Sequence, residues 1–214
     1  MMGDCRNPDI LLANGERFFS RRNIVSRISI PQGHCILKVY NNAQAWAQEM
    51  QQLRQLRNAG IRVPCVLGSG DNYLLIEYLD GPTYLELFEH MEQRQEAHIK
   101  AVEALIEWLY AYHGATGMLR GDVNLRNFLF YDDKCYGIDF EEAMQQGEIE
   151  TDIGNILAFI LTYHPSFTKY KIDLARKVLI KCKSLGAKEE KIRCAYVKEI
   201  DAMHQRRSKN SKNV

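Results

Sequence analysis

The chain has 214 residues and a formal net charge of +1 at pH 7, with 46% hydrophobic and 26% charged residues. This composition is typical of a soluble globular protein with a buried core, and it excludes a fibrous or largely disordered chain. The small net charge disfavours general binding to nucleic acid, which only the basic C-terminal stretch HQRRSKNSKNV weakly suggests. We expect that stretch to be frayed and solvated, with docking on an acidic partner as the alternative.

Cysteines and apolar runs indicate the cell compartment. Six cysteines are scattered without a C-x-x-C pair, which predicts neither a zinc site nor a disulfide framework and favours a reduced cytosol. The N-terminal stretch has no apolar core after basic residues, and no segment is long and apolar enough to span a membrane. We therefore expect a cytoplasmic protein without a transmembrane segment.

The first part of the chain is predicted as an antiparallel sheet with one inserted helix. Strand-like runs with β-branched and aromatic residues are ILLANGERFF, NIVSRISI, HCILKVY and CVLGSGDNYLLIEYL, the last divided by a Gly-Asp-Asn turn. Between the third and fourth runs, a helix is predicted to begin at Asn42 and to stop at Gly60. We assign residues 1–79 to this β-rich lobe.

The rest of the chain, residues 80–214, is predicted as a helical lobe with a basic tail from about residue 205. Thr83 and Glu86 form a capping box at the start of one helix, and a long amphipathic helix is expected from about Gln95 to Tyr112, ending at Gly114. A hairpin turning at 132–134 and three more helices follow. The fold class is therefore α+β.

A carboxylate lies on the packing face of the first helix. Glu49 shares a stripe with Trp46, Leu53 and Leu56. Because a lone buried charge costs several kcal/mol or loses its charge, Glu49 needs a partner. Lys38 on the preceding strand is the candidate; alternatively, each side chain reaches water separately.

Three oxygen-bearing side chains lie in the segment RGDVNLRNFLFYDDKCYGIDFEEA, residues 120–143. They are Asp122, Asn127 and Asp139. Asp and Asn are also common turn formers, but a D-x-x-x-x-N motif followed by an apolar strand with I-D-F is an ordered set suited to phosphoryl transfer.

Each residue type fits a part of that chemistry. Lys38, held extended by Glu49, supplies the cation for the nucleotide phosphates. Asn127 and Asp139 supply oxygen ligands for Mg²⁺, with Mn²⁺ as an alternative. Asp122 accepts the proton of the attacking hydroxyl.

The order and spacing of these residues resemble the protein-kinase-like superfamily from about Arg17 to His164. The resemblance implies a two-lobed kinase-like fold with a cleft between the lobes, and ATP as the phosphoryl donor. LLIEYLDG is similar to the hinge of that superfamily, which implies that the backbone of Glu77 and Leu79 bonds the adenine edge.

Further positions are implied by the same resemblance. Ile36 would form part of the roof of the nucleotide pocket, and Leu129 its floor. Asp152 matches the acid that anchors the catalytic loop through hydrogen bonds to its backbone. Its alternative role is that of a helix N-terminal acid favoured by the dipole.

The chain also departs from the superfamily pattern. SRRNIVSRIS contains no glycine, so Arg21, Arg22 and Asn23 are candidates to contact phosphates in place of a glycine-rich loop. Arg120 replaces the common His, and Glu141 replaces the glycine of D-F-G. The second change suggests a site that is always in its active arrangement.

The spacing after Asp139 indicates which subclass of the kinase superfamily the chain resembles. Only 12 residues separate Asp139 from Thr151, too few for an activation segment. The compact pattern is similar to RIO-type kinases, the small KEOPS-associated kinase, lipopolysaccharide core kinases, and aminoglycoside or choline phosphotransferases.

The sequence leaves the acceptor open. We expect a protein Ser or Thr hydroxyl, because the helical region after Asp152 is too short for an acidic insert that grips cationic sugars. A lipopolysaccharide or small-molecule kinase is the alternative. A nucleotide-binding pseudokinase scaffold is the second alternative.

Overall fold

The computed structural model describes residues 15–31 and 33–210, and these residues form two compact units. The first unit contains the described residues up to Asp80 together with Gly137–Ala143. The second contains Gly81–Tyr136 and the described residues from Met144 onward. The segment that carries Asp139 therefore belongs to the same unit as the N-terminal strands.

The first unit is built on a five-stranded antiparallel sheet with the strand order β1-β2-β3-β5-β4. Alternating side chains of the strands fill its core, where Ile28, Cys35, Leu37 and Tyr73 are buried. The predicted Gly-Asp-Asn turn is present, and Asn72 adopts a left-handed conformation there with φ of 60°. The strands are β1 Glu16–Phe18, β2 Ile24–Ile30, β3 Gly33–Val39, β4 Val66–Gly70 and β5 Tyr73–Glu77.

The predicted helix of this unit is confirmed as α1, Ala43–Asn58. It begins there because the Asn42 side chain accepts hydrogen bonds from the first free backbone N–H groups, at 2.8 Å from the nitrogen of Gln44. Its inner face buries Leu53 and Leu56 together with the charged Glu49. The helix thus presents a carboxylate to the interior of the unit.

The second unit is mainly helical. The capping box of its first helix is confirmed, since Thr83 accepts from the Glu86 backbone N–H and the Glu86 carboxylate accepts from the Thr83 N–H at 2.8 Å. Short strands complete the unit, β6 pairing with β9 and β7 with β8. The helices are α2 Tyr84–Arg94, α3 Ile99–Thr116, α4 Ile149–Thr162, α5 Lys169–Ser184 and α6 Glu189–Asn210. The short strands are β6 Met118–Leu119, β7 Phe128–Tyr131, β8 Lys134–Gly137 and β9 Gln145–Gln146.

Two predicted helix boundaries are wrong. α3 begins at Ile99, later than expected, because Gln95 ends α2 in a left-handed conformation with φ of 53°. α3 also continues through Gly114 and ends at Gly117, whose φ of 65° is the conformation that glycine adopts without steric cost.

The C-terminal stretch also differs from the prediction. α6 extends to Asn210, so most of the stretch expected to be frayed is helical. The last residues of that stretch, 211–214, lie outside the described part of the chain, as do residues 10–14 of the first predicted strand. Among the described helices, none is both long enough and apolar enough to cross a bilayer.

A glycine allows a close contact between two helices of the second unit. A Cβ atom placed on Gly154 of α4 would lie 2.5 Å from the Ala195 Cβ and 2.7 Å from the Ile192 carbonyl oxygen, both on α6. These distances are shorter than any normal van der Waals contact. The backbones of α4 and α6 therefore approach closely because position 154 has no side chain.

We predict that Gly154→Val destabilises the protein by about 1–3 kcal/mol, since the added side chain forces α4 and α6 apart. Gly114→Ala is the matched control. A Cβ at Gly114 meets nothing within 4 Å, so the substitution should stabilise α3 by about 0.5–1 kcal/mol. Urea denaturation measures both effects, and equal effects of the two substitutions would contradict the packing argument.

Candidate active site

The predicted ion pair between the sheet and α1 is present. Lys38 lies near the end of β3, where it is paired with Val25 of β2 and Leu74 of β5. Its Nζ lies 2.7 Å from Oε2 of Glu49, and the two side chains are only 9% and 2% exposed. The alternative in which each side chain reaches water separately is therefore wrong.

Glu49 is fixed by more than Lys38. The Tyr40 hydroxyl donates to Glu49 Oε2 at 2.8 Å, and the backbone N–H of Phe140 donates to Oε1 at 3.2 Å. Burial, and then the Glu49 charge, raise the pKa of Tyr40, so the phenol remains a donor. Both oxygens of the carboxylate thus hold neighbouring groups in place.

Two more carboxylates lie against the Lys38 ammonium. Nζ is 2.8 Å from Asp139 Oδ1 and 2.7 Å from Glu141 Oε1. Burial alone would lower the pKa of Lys38, but the attraction of the three carboxylates outweighs it and raises the pKa above its ordinary value. The three carboxylates thus favour the protonated form of Lys38.

The conformation of Asp139 brings this segment onto Lys38. Its φ of 63° is left-handed, which non-glycine residues adopt uncommonly and Asp more readily than most. The Phe140 N–H bond to Glu49 and a 2.8 Å hydrogen bond from Gln52 Nε2 to the Glu142 carbonyl hold the segment on α1. The Asp139 side chain is 46% exposed, so its carboxylate is open to a ligand.

Sequence reasoning missed the position of Glu141. Its side chain is 10% exposed, and burial raises its pKa despite the opposing effect of Lys38. Asn23, expected to contact phosphates, donates from Nδ2 to Glu141 and accepts from the Asn41 backbone N–H at 3.3 Å. The available signal was an acidic residue in place of the glycine of D-F-G, which we interpreted only as a loss of flexibility.

In the second unit, Asp152 organises the segment that leads to Asp122. Its carboxylate is 1% exposed and accepts hydrogen bonds from the backbone N–H groups of Arg120, at 2.7 Å, and Gly121, at 3.1 Å. Burial raises the pKa of Asp152, and the two N–H groups oppose that change. The predicted anchoring hydrogen bonds are confirmed.

Local hydrogen bonds bring Asp122 and Asn127 together. The Asn127 side chain donates from Nδ2 to the Asp122 carbonyl at 3.3 Å, and the Asn124 N–H donates to Asp122 Oδ1 at 3.3 Å. Tyr163, which directly follows α4, donates to Asn124 Oδ1 at 2.7 Å. These hydrogen bonds fix the turn from Asp122 to Asn127. The Asn127 amide nitrogen donates within the turn, and its amide oxygen lies on the other side of the amide group.

The predicted adenine contacts occupy separate elements. Ile36 lies on β3 near Lys38, half-buried, and Glu77 ends β5. The Glu77 N–H donates to the Cys65 carbonyl at 2.8 Å, so an adenine contact of Glu77 would use its carbonyl oxygen. Leu79 is buried, and Leu129 on β7 forms a bridge with Thr83.

The candidate phosphate contacts before β2 are exposed. Arg21 and Arg22 lie at the surface, where Arg22 pairs with Glu142 at 3.3 Å. Arg120, the residue that replaces the common His of the superfamily, is buried, with an exposed fraction of 7%. Of the residues proposed to replace a glycine-rich loop, Asn23 is thus the one that contacts the Lys38 cluster.

Comparison with known proteins identifies the family of the chain. The sequence model of the RIO domain family matches residues 32–173. The chain belongs to this family. It is therefore an ATP-dependent kinase of the atypical, protein-kinase-like type, and a search of curated protein sequences finds no match to it.

A solved structure confirms the fold class. The structure described as WaaP in complex with acyl carrier protein has a TM-score of 0.59 and 18% sequence identity, over 96% of this chain and 93% of that chain. At this identity the likeness shows the fold alone. The predicted α+β, two-lobed, protein-kinase-like fold is confirmed.

The donor atoms suit the divalent metal that such kinases use. Mg²⁺ prefers hard oxygen ligands and takes few of them from protein. Asp139 offers a half-exposed carboxylate, and Asn127 offers an amide oxygen on a fixed turn. The residue types predicted to bind the metal therefore fit it.

We predict that Lys38→Met destabilises the protein by about 3–5 kcal/mol, because it leaves buried carboxylates without their cation. Adding Glu141→Gln to that variant should recover part of the loss. In the parent protein the same Glu141→Gln change should be close to neutral. A double-mutant cycle by chemical denaturation gives the coupling, and additive effects would show that Glu141 and Lys38 do not interact.

Proposed function

We propose that the protein transfers the γ-phosphoryl group of ATP to a serine or threonine hydroxyl of another protein. The observation that supports phosphoryl transfer is the Lys38 ammonium, which is paired with Glu49 at 2.7 Å and lies 2.8 Å from Asp139. A buried cation of fixed orientation next to a half-exposed carboxylate is suited to bind a metal-complexed polyphosphate.

Each residue has a distinct role in this proposal. Lys38 donates to the nucleotide phosphates, and Glu49 keeps its side chain extended. Asp122 accepts the proton of the attacking hydroxyl and orients that hydroxyl toward the phosphorus. Asn127 and Asp139 bind one divalent cation, Mg²⁺ or alternatively Mn²⁺, which neutralises charge on the phosphates.

The adenine would be bound by the end of β5 and by apolar side chains. The Glu77 carbonyl accepts from the adenine amino group, and the Leu79 N–H donates to a ring nitrogen. Ile36 and Leu129 pack against the faces of the ring. These roles derive from the kinase resemblance and from the position of Glu77 at the end of β5.

The composition of the described elements after Asp152 supports a protein acceptor. These elements are the rest of α4, α5 and α6, and among the described residues none of them is an acidic insert of the kind that would grip a cationic sugar. A lipopolysaccharide or small-molecule alcohol is the alternative acceptor, which the sequence resemblance to lipopolysaccharide core kinases and to aminoglycoside or choline phosphotransferases implies. We further propose a cytoplasmic location.

A screen of acceptor classes with γ-labelled ATP and Mg²⁺ tests this proposal. We expect transfer to protein hydroxyls, and we expect Asp122→Asn to lower it by about 10²- to 10⁴-fold because the proton acceptor is lost. ATP affinity should be unchanged. Asp132→Asn, at an exposed turn between β7 and β8, is the control and should retain full activity.

The other outcomes identify the alternatives. Transfer to lipopolysaccharide or to a small-molecule alcohol, without transfer to protein, would replace the proposed acceptor. Binding of ATP without transfer to any acceptor class would show a nucleotide-binding scaffold instead of a protein kinase.

A further inference from the structure

Each N–H donor of the Lys38 ammonium has a carboxylate oxygen within hydrogen-bond distance. An ammonium group carries three N–H donors. Three carboxylate oxygens surround this one, from Glu49, Asp139 and Glu141, at 2.7, 2.8 and 2.7 Å. A phosphate oxygen of ATP can therefore bind Lys38 only if one of these carboxylates gives up its place.

Of the three carboxylates on Lys38, Glu49 is held most firmly. It is 2% exposed and also accepts from the Tyr40 hydroxyl and the Phe140 backbone N–H. Moving it would leave the buried Tyr40 hydroxyl and Phe140 N–H without an acceptor, which is unfavourable in a protein interior. Glu49 thus stays in place when a ligand binds.

The position of Asp139 is also constrained. Its position is set by the left-handed backbone and by the neighbouring Phe140 N–H bond to Glu49. The proposed function requires its carboxylate beside the phosphates to bind the metal. Displacing Asp139 would therefore remove the ligand that the nucleotide complex needs.

Glu141 is held by side-chain contacts that a rotation can release. A single oxygen, Oε1, contacts both Lys38 Nζ and Asn23 Nδ2. It is also in excess, since a single ammonium faces three carboxylates. Loss of this contact would leave Lys38 still neutralised by Glu49 and Asp139.

We propose that Glu141 occupies the place of a phosphate oxygen on Lys38 and that ATP displaces it. This inference rests on the proposed function and adds a positioning residue to it. Glu141 keeps the ammonium aligned while no nucleotide is bound. Glu141 also weakens ATP binding, because the incoming phosphate must displace the Glu141 carboxylate from Lys38.

The test is ATP affinity by calorimetry on the full chain, first with EDTA and then with Mg²⁺. Without Mg²⁺, Glu141→Gln should bind ATP about tenfold more tightly than the parent, which corresponds to about 1.4 kcal/mol. Asn23→Ala, which removes the second contact of Glu141, should act in the same direction with a smaller effect. It is also the variant to use if Glu141→Gln fails to fold.

Glu142→Gln is the matched control. It makes the same charge change one residue along, but the Glu142 side chain is 57% exposed and pairs with Arg22 rather than Lys38. ATP affinity of this variant should change less than about twofold, a free-energy difference of roughly 0.4 kcal/mol. An equal gain in Glu142→Gln would show a general charge effect and overturn the proposal.

Each remaining outcome has a distinct meaning. Unchanged affinity in both Glu141→Gln and Asn23→Ala overturns the competition. Weaker binding of Glu141→Gln only with Mg²⁺ also overturns it, and makes Glu141 a metal ligand. If the parent and all variants bind no ATP under either condition, the proposed function itself fails.

Discussion

The structure of the first unit depends on one buried ion pair, between Lys38 of the sheet and Glu49 of α1. A buried pair of this kind contributes little net stability compared with apolar residues of the same volume, whereas the loss of either partner is costly. The main effect of the pair is to fix the positions of neighbouring groups. Glu49 accepts from Tyr40 and from the backbone of Phe140, so the pair also fixes the segment that presents Asp139 and Glu141.

The second unit uses a comparable arrangement. Asp152 is a buried carboxylate whose oxygens accept backbone N–H groups of Arg120 and Gly121, just before Asp122. In both units a buried acid from a helix thus holds the backbone of a short segment that carries candidate catalytic or metal-binding residues. Backbone N–H groups constrain a segment without using its side chains, which remain available for ligands.

Local signals in the sequence predicted much of this arrangement. α1 could be located because Asn42 and Gly60 are typical of helix ends, and the pairing of Glu49 because a carboxylate lies on an apolar stripe. The end of α3 could not be located, since a glycine is tolerated inside a helix and only the left-handed backbone at Gly117 marks the stop. The contact of Glu141 with Lys38 also could not be predicted from the sequence. It depends on the φ of Asp139 and on Asn23, 118 residues away along the chain, and neither leaves a pattern in the sequence.

The central claim is that Lys38 binds the phosphates of a nucleotide, and affinity labelling tests it most directly. An ATP analogue with a reactive acyl group on its terminal phosphate transfers that group to a lysine beside the phosphates, and mass spectrometry identifies the lysine. We predict labelling of Lys38 that excess ATP prevents. Lys171, equally buried and paired with Glu92 at 3.3 Å, should remain unlabelled. Labelling confined to exposed lysines, with no protection by ATP, would contradict the account.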